Sequence, residues 1–180
     1  MNEYFHIKTK KGDIIIRDGT RYELKDLVTE YKKSFKKHNI FQKSAFRVEE
    51  YLIDAHRKYH KFGGGFIVAK IYNNTIGGIL IRTGEFNTDK KHSLFYFNHL
   101  VVAKKYTKLG LGTRLVNAAE QKIKNLIKEK KFRSAKVEVH CYEKKMVNFY
   151  KRLKFKIEGK LASHYRFKQT VYVFGKEIIK

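Results

Sequence analysis

A chain of 180 residues, 42% of them hydrophobic, carries enough apolar material for one packed domain and too little for two of ordinary size. Its 41 lysines and arginines against 17 acidic residues leave a net charge of +24, which suits an anionic ligand and disfavours a polycationic one. The single cysteine, Cys141, excludes an intramolecular disulfide and a cysteine-only metal cluster, and no run of about 18 apolar residues marks a membrane span.

The opening Met-Asn-Glu-Tyr-Phe-His lacks the basic-then-apolar order of a signal peptide, so a cytoplasmic, membrane-free protein is expected. Ile14–Arg17 reads as a short strand, Asp18-Gly-Thr20 as a turn, and Tyr22–Lys37 as a helix with Leu24, Leu27, Val28, Tyr31 and Phe35 at helical spacing. A second helix spans Arg47–Tyr59, and Gly63-Gly-Gly65 breaks it. Its His56 and His60 have an i, i+4 spacing, but no third ligand lies near them and no metal is expected. Phe66–Tyr72 and Thr75–Arg82, joined at Asn73-Asn74, form a hairpin, and the polar stretch Glu85–His92 reads as a loop.

A strand over Leu94–Ala103 then runs into a basic turn with two glycines, Gly110 and Gly112, and the helix Gly112–Lys130. Its apolar stripe is Leu115, Ala118, Ala119, Ile123, Leu126 and Ile127, while Arg114 faces away. Ala135–His140 reads as a strand, Lys144–Leu153 as a helix, and Phe155–Leu161 and Thr170–Ile178 as strands. The fold class is therefore α/β, a single domain over residues 1–180 with a mixed sheet of about seven strands and about four helices. The crossover through Gly112–Lys130 predicts parallel flanking strands.

Leu100-Val-Val-Ala-Lys-Lys-Tyr-Thr-Lys-Leu-Gly-Leu-Gly-Thr-Arg-Leu-Val116 has the layout of an anion site. The first amides of a helix lack intrahelical partners, and the helix dipole adds partial positive charge where they point. Both glycines permit positive φ and close backbone approach.

From these residues the chain resembles the GNAT superfamily of acyl-CoA-dependent N-acyltransferases. The matching pieces are Leu100-Val101-Val102, the turn Gly110-Leu111-Gly112, the opening Ile16-Arg17-Asp18 with Asp26, and Met146-Val-Asn-Phe-Tyr-Lys-Arg-Leu-Lys-Phe155. Thr107, Glu143, Met146 and Lys154 depart from the usual Gln or Arg, Asn, Ala and Gly. The resemblance implies a GNAT fold that uses acetyl-CoA, with Lys108, Leu109, Gly110, Leu111, Gly112 and Thr113 around the pyrophosphate. It implies that the backbone of Leu100, Val101 and Val102 pairs with the pantetheine arm, and that Glu143 holds a further cofactor contact.

Acetyl transfer to an amine requires loss of an amine proton, a donor to the thioester oxygen and a proton for the leaving thiolate. The resemblance gives the last role to Tyr150, whose phenol keeps its proton at neutral pH, and makes a backbone N–H near Val101 or Val102 the oxygen donor. Val137-Glu138-Val139 resembles a Leu-Glu-Val strand of the branch that acetylates protein N-termini, so Glu138 is the first choice of base. The alternating strand equally reads Glu138 as solvent-facing. Glu85, His99 and ordered water are the other candidates, and Tyr96 and Asn98 are candidate acceptor contacts. Cys141 as a covalent acyl carrier is the weaker route. The acceptor class is a primary amine, such as a protein N-terminus or a small amine, and the chain acts as a monomer or homodimer. The aromatic Ser163-His-Tyr-Arg-Phe167 and Val171-Tyr-Val-Phe-Gly175 resemble the carboxyl-terminal part of N-terminal acetyltransferases. The high charge also admits nucleic acid or the ribosome as partner, and a non-catalytic module that binds CoA, RNA or another anion is the alternative.

Overall fold

The computed structural model describes residues 2–36, 38–87, 91–164 and 168–179, with residues 85–87 described by their backbone alone. In chain order the elements are β1 (Glu3–Ile7), β2 (Ile14–Asp18), α1 (Leu24–Ser34), α2 (Ala45–His60), β3 (Gly65–Ile71), β4 (Asn74–Asn87), β5 (His92–Val102), α3 (Leu111–Glu129), β6 (Ser134–Cys141), α4 (Lys144–Arg152), β7 (Lys156–Ala162) and β8 (Thr170–Ile179). Short 3-10 helices, Arg21–Glu23, Asn39–Gln42 and Lys104–Leu109, lead into α1, α2 and α3. The strands hydrogen-bond in the order β1-β2-β3-β4-β5-β6-β8-β7, a mixed sheet in which β5 and β6 are parallel, as the crossover predicts. The strand beyond the expected seven is β1, and β4 continues through Glu85–Asn87, where a loop is expected. The expected end of the first helix, Lys37, lies outside the described residues. None of the described helices is long and apolar enough to cross a membrane.

Contacts gather the chain into two compact units, Met1–Thr83 with His99–Lys122, and Gly84–Asn98 with Ile123–Lys180. In the first unit β1 to β4 pair antiparallel, with Ile14 opposite Ile71 and Gly65 opposite Ile81. Leu24, Leu27, Val28 and Tyr31 of α1 and Val48 and Leu52 of α2 pack with Phe41, Phe66, Val68 and Leu80 in one buried cluster. Ser44 starts α2 by accepting a hydrogen bond from the Arg47 amide at 3.3 Å. Consecutive glycines in β4 let elements close in from two sides. A Cβ on Gly77 would lie 3.0 Å from the Val101 carbonyl and 3.3 Å from Leu115 of α3, and one on Gly78 would lie 2.9 Å from Leu27 of α1.

The polar side of this unit is paired. Glu23 sits between Arg17, which donates to it, and Lys70 at 2.7 Å, while Asp18 takes Lys122 at 2.7 Å. Burial opposes ionisation of Glu23, yet hydrogen bonds from Lys70, the Thr20 amide and Arg17 outweigh it and hold the carboxyl below its ordinary value. Asp26 accepts from the amide and hydroxyl of Thr75 at 3.2 and 3.1 Å, tying α1 to the start of β4.

In the second unit β6 pairs antiparallel with β8, and β8 with β7. Ala135, Val137 and Val139 are buried on one side of β6. Tyr150 of α4 packs against Phe155 and Phe174, and Phe155 in turn meets Phe97 of β5.

Candidate active site

β5 carries the first group of candidate residues. Its ladder with β6 runs from His92 opposite Ser134 to Tyr96 opposite Glu138 and ends there, although β5 continues to Val102. Within the remainder, His99 adopts φ 54, a left-handed conformation that is uncommon for a side-chain-bearing residue. The alternation of buried and half-buried positions breaks at the same place, over Asn98, His99 and Leu100. Beyond it the Ala103 amide donates to the Ile76 carbonyl at 2.8 Å, so the end of the strand is fastened on its β4 side. Leu100, Val101 and Val102 thus lie beyond the end of the β5–β6 ladder.

The chain then makes the 3-10 helix Lys104–Leu109 and turns at Gly110, φ 67 and ψ 17, into α3. Gly112 is within α3 and needs no positive φ, so only the first glycine uses the conformational freedom expected of both. The hydroxyl of Thr107 donates to the Lys104 carbonyl at 3.0 Å and closes the 3-10 turn. Lys104, Lys105 and Lys108 are exposed on this segment. Arg114, which the helical period places on the outer face, folds back: its Nη1 donates to the Leu109 carbonyl at 2.9 Å, and a Cβ on Gly110 would lie 2.9 Å from that nitrogen. The turn therefore has a guanidinium beside it as well as the first amides of a helix of 19 residues. A lone outward arginine carries no sequence signal for this.

His99 is held from several sides. Tyr31 donates its hydroxyl to the His99 carbonyl at 2.6 Å, and the Tyr51 hydroxyl shares a 2.6 Å hydrogen bond with Nε2. Five rings, Tyr31, Phe35, His38, Phe41 and Tyr51, meet the imidazole edge-on at centroid distances of 5.1 to 6.1 Å. Burial, with the charges of His38 and Arg82, lowers its pKa to about 3. A nitrogen so weakly basic serves as a hydrogen-bond partner and is ill suited to take a proton from an ammonium group.

The second group of residues belongs to the other unit. Tyr150 is 3% exposed, with Phe149, Phe155 and Phe174 at ring centroids 5.1, 5.5 and 5.9 Å away. Burial, then the neighbouring Cys141, push its phenol well above the ordinary value, so it keeps its proton. Cys141 is itself pushed up to about 11 by burial and by Glu143, which disfavours the thiolate that an acyl carrier requires. Val139, opposite Phe174, faces the side on which Tyr150 packs, whereas Glu138, opposite Gly175, takes the other face of β6. On that face Lys136 lies 3.7 Å from Glu138 and 2.6 Å from Glu158. The carboxylate of Glu138 and the ring of Tyr150 thus leave the sheet on opposite sides. Glu143 precedes α4 at its N-cap and pairs with Lys145 at 2.9 Å. Tyr96 projects over Gly84, where a Cβ would lie 3.2 Å from its ring. The side chain of Glu85 and the residues Tyr165, Arg166 and Phe167 lie outside the described residues.

His56, the other histidine with a shifted pKa, is engaged by the backbone: the Phe66 amide donates to its Nδ1 at 3.1 Å. Burial and the neighbouring His60 and Lys122 lower it to about 4. Among the described residues no group of three or more His, Cys, Asp or Glu is gathered as metal donors.

The profile of the Acetyltransferase (GNAT) family matches residues 24–155, from the first residue of α1 to the end of the turn after α4. The chain belongs to the GNAT acetyltransferase family. No curated protein matches the sequence. Among solved structures, Ard1 from Thermoplasma volcanium is 17% identical, with a TM-score of 0.66 and coverage of 93% of this chain and 99% of that one. Naa50 of Arabidopsis thaliana, in complex with the bisubstrate analogue CoA-Ac-MVNAL, is 16% identical, with a TM-score of 0.65 and coverage of 91% and 97%. An aminoglycoside 6'-N-acetyltransferase complexed with coenzyme A is 17% identical, with a TM-score of 0.65 and coverage of 92% and 98%. At these identities the likeness establishes the GNAT fold, and two of the three differ in acceptor, one holding a peptide-based bisubstrate analogue and one being named for an aminoglycoside.

Proposed function

We propose that this GNAT chain is an acetyl-CoA-dependent N-acetyltransferase that moves the acetyl group to a primary amine by direct attack. The observation that carries the reading is the early end of the β5–β6 ladder at Tyr96 and Glu138, followed by six further residues of β5 and a left-handed glycine at the head of α3. Such an edge suits the amides of an extended pantetheine arm, which would add to it as a strand does. Lys108 to Thr113 and Arg114 suit the pyrophosphate, through helix amides, a nearby guanidinium and the flexible lysines.

In the reaction the amine nitrogen forms a bond to the thioester carbon, the carbon–sulfur bond breaks, and the amine loses a proton. A backbone N–H of Val101 or Val102 is the donor to the thioester oxygen as charge develops there. Tyr150 is the proton donor to the departing thiolate: burial keeps its phenol protonated until the sulfur leaves with negative charge. Glu138 remains the candidate for the amine proton, acting through water, since its carboxylate leaves β6 on the face away from Tyr150. His99, held by Tyr31 and Tyr51 and of low basicity, is read as a positioning residue in place of a base.

Titration with acetyl-CoA, followed by measurement of free thiol released with a panel of peptide, small-amine and aminoglycoside acceptors, tests the reading. Saturable binding with acceptor-dependent thiol release is expected. Tight CoA binding without turnover of any acceptor would replace it by the non-catalytic binding module.

A further inference from the structure

The turn between β1 and β2 meets the 3-10 helix that leads into α3, and both sides bring a cation to the contact. That turn is well fixed. The Thr9 hydroxyl donates to the Gly12 carbonyl at 2.7 Å and accepts from the Lys11 amide at 3.1 Å, and the Gly12 amide donates to the Thr9 carbonyl at 3.1 Å. Gly12, at φ 119, is bare where the ring of Tyr72, in the turn between β3 and β4, crosses it: a Cβ there would lie 2.5 Å from the Tyr72 hydroxyl oxygen. From this braced turn Lys11 sends its Nζ to 5.8 Å from the ring centroid of Tyr106. Lys105 places its own Nζ 5.0 Å from the same ring. Tyr106 is buried within the 3-10 helix, four positions before Gly110, which is about 8 Å at about 2.0 Å per residue.

Attraction between an exposed cation and a ring is worth only about 0.5–1 kcal/mol, and a second ammonium group on the same ring works against it. Elsewhere in this unit the sheltered ammonium groups are matched with carboxylates, Lys70 with Glu23 and Lys122 with Asp18. Around Tyr106 that matching is missing. Asp13, two residues from Lys11, is taken by His6 at 3.0 Å, and residues 92–119 contain no aspartate or glutamate. Among the described residues neither Lys11 nor Lys105 has a carboxylate partner, and Lys104 and Lys108 are exposed on the same 3-10 helix. Two elements far apart in sequence therefore converge two uncompensated cations on one buried ring beside the turn into α3.

We propose that Lys11 and Lys105 form a second phosphate site, for the 3′-phosphate on the ribose of CoA, and that the β1–β2 turn is thereby part of the cofactor site. The inference rests on the acetyl-CoA reading above, in which the amides of α3 and Arg114 take the pyrophosphate. CoA carries the pyrophosphate and the 3′-phosphate on one ribose, so a molecule seated at Gly110 brings a second, multiply charged anion within a sugar's length of the turn. Two ammonium groups from separate elements supply several charge-assisted donors to its oxygens. The β1–β2 turn precedes residues 24–155, which the family profile matches, so nothing in the family pattern points to Lys11.

The test is calorimetric titration of the full chain with CoA and with 3′-dephospho-CoA. At low salt the unaltered protein binds CoA about ten-fold or more tighter than 3′-dephospho-CoA, and the margin narrows as salt is raised. Lys11→Ala weakens CoA by about five-fold and leaves 3′-dephospho-CoA unchanged, while Lys11→Ala with Lys105→Ala brings the two ligands to equal affinity. Lys11→Arg keeps the margin, and Lys10→Ala, on the same turn, alters neither affinity. Equal affinity of the unaltered protein for the two ligands, or an equal loss for both in the lysine variants, overturns this inference and leaves the acetyl-CoA reading standing. So does a single-stranded RNA oligonucleotide whose binding is lost in the double variant while the margin between the two ligands stays, which would assign the pair to nucleic acid. Failure of the unaltered protein to bind either ligand overturns the acetyl-CoA reading and this inference with it.

Discussion

His99 and Tyr150 sit in different compact units, and each is enclosed by rings that exclude water from an ionisable group. The dominant physical term is the same in both places, desolvation of the charged form. Its chemical result is opposite. A phenol kept neutral retains its proton, whereas an imidazole kept neutral, its Nε2 hydrogen-bonded with Tyr51, has little affinity for a proton. A buried ionisable ring is therefore not by itself a base, and the sign of its charge on ionisation decides what burial does to it.

Tyr150→Phe is the sharpest way to break that comparison. The ring contacts with Phe155 and Phe174 survive the change, so stability and CoA binding should hold while kcat falls by about 100-fold or more, the usual scale of a proton donor. Turnover unchanged at every pH would remove the donor role. Next in size is Gly110→Val, which forces a β-branched residue into φ 67 and a Cβ against the Arg114 guanidinium. Strain of about 1–3 kcal/mol at such a site should appear as weaker CoA binding, measurable by calorimetry, with little change in the acceptor KM.

Lowering the pH tests the imidazole side. The folded values of His99, about 3, and His56, about 4, lie below the ordinary 6.5, so the unfolded chain takes up protons first as pH falls. Stability is then full above about pH 6.5 and declines from there towards the folded pKa values, by about 2 kcal/mol for each histidine at pH 5. Thermal melts between pH 7 and pH 5 should show this loss, and His56→Gln should flatten its slope. The smallest effect is expected from Cys141→Ala, with turnover changed by no more than about two-fold, because a thiol raised to about 11 holds little thiolate at neutral pH. A large loss there would revive a covalent route.

Much of the fold could be read from residue order. The strand, glycine turn and long helix over Leu94 to Lys130 have strong periodicity, and the parallel β5–β6 pair follows from the handed crossover between them. The aromatic positions of α4 were equally legible, since Phe149, Tyr150 and Phe155 fall where a short amphipathic helix and its exit turn require them. β1 was not, because Glu-Tyr-Phe-His-Ile alternates poorly and is half exposed along its length. The extension of β4 past Thr83 was hidden by glycine and polar side chains, which local propensity assigns to loops. Within the site, the left-handed backbone of His99 left no trace in composition, and Arg114 obeyed the helical period in its Cα while its long side chain did not. Both are tertiary effects, set by Tyr31 and Tyr51 in one case and by the Leu109 carbonyl in the other.

Gly77 and Gly78 give this arrangement a mechanical reference. Because neither carries a side chain, Leu115 of α3 and Leu27 of α1 gauge their positions against main chain alone, a surface that no rotamer change can thicken. The carbonyl of Val101 is registered to that same surface. Substitutions in the surrounding core can therefore accumulate without altering the gap between the strand edge and the helix that opens at the left-handed glycine, provided these two positions stay bare.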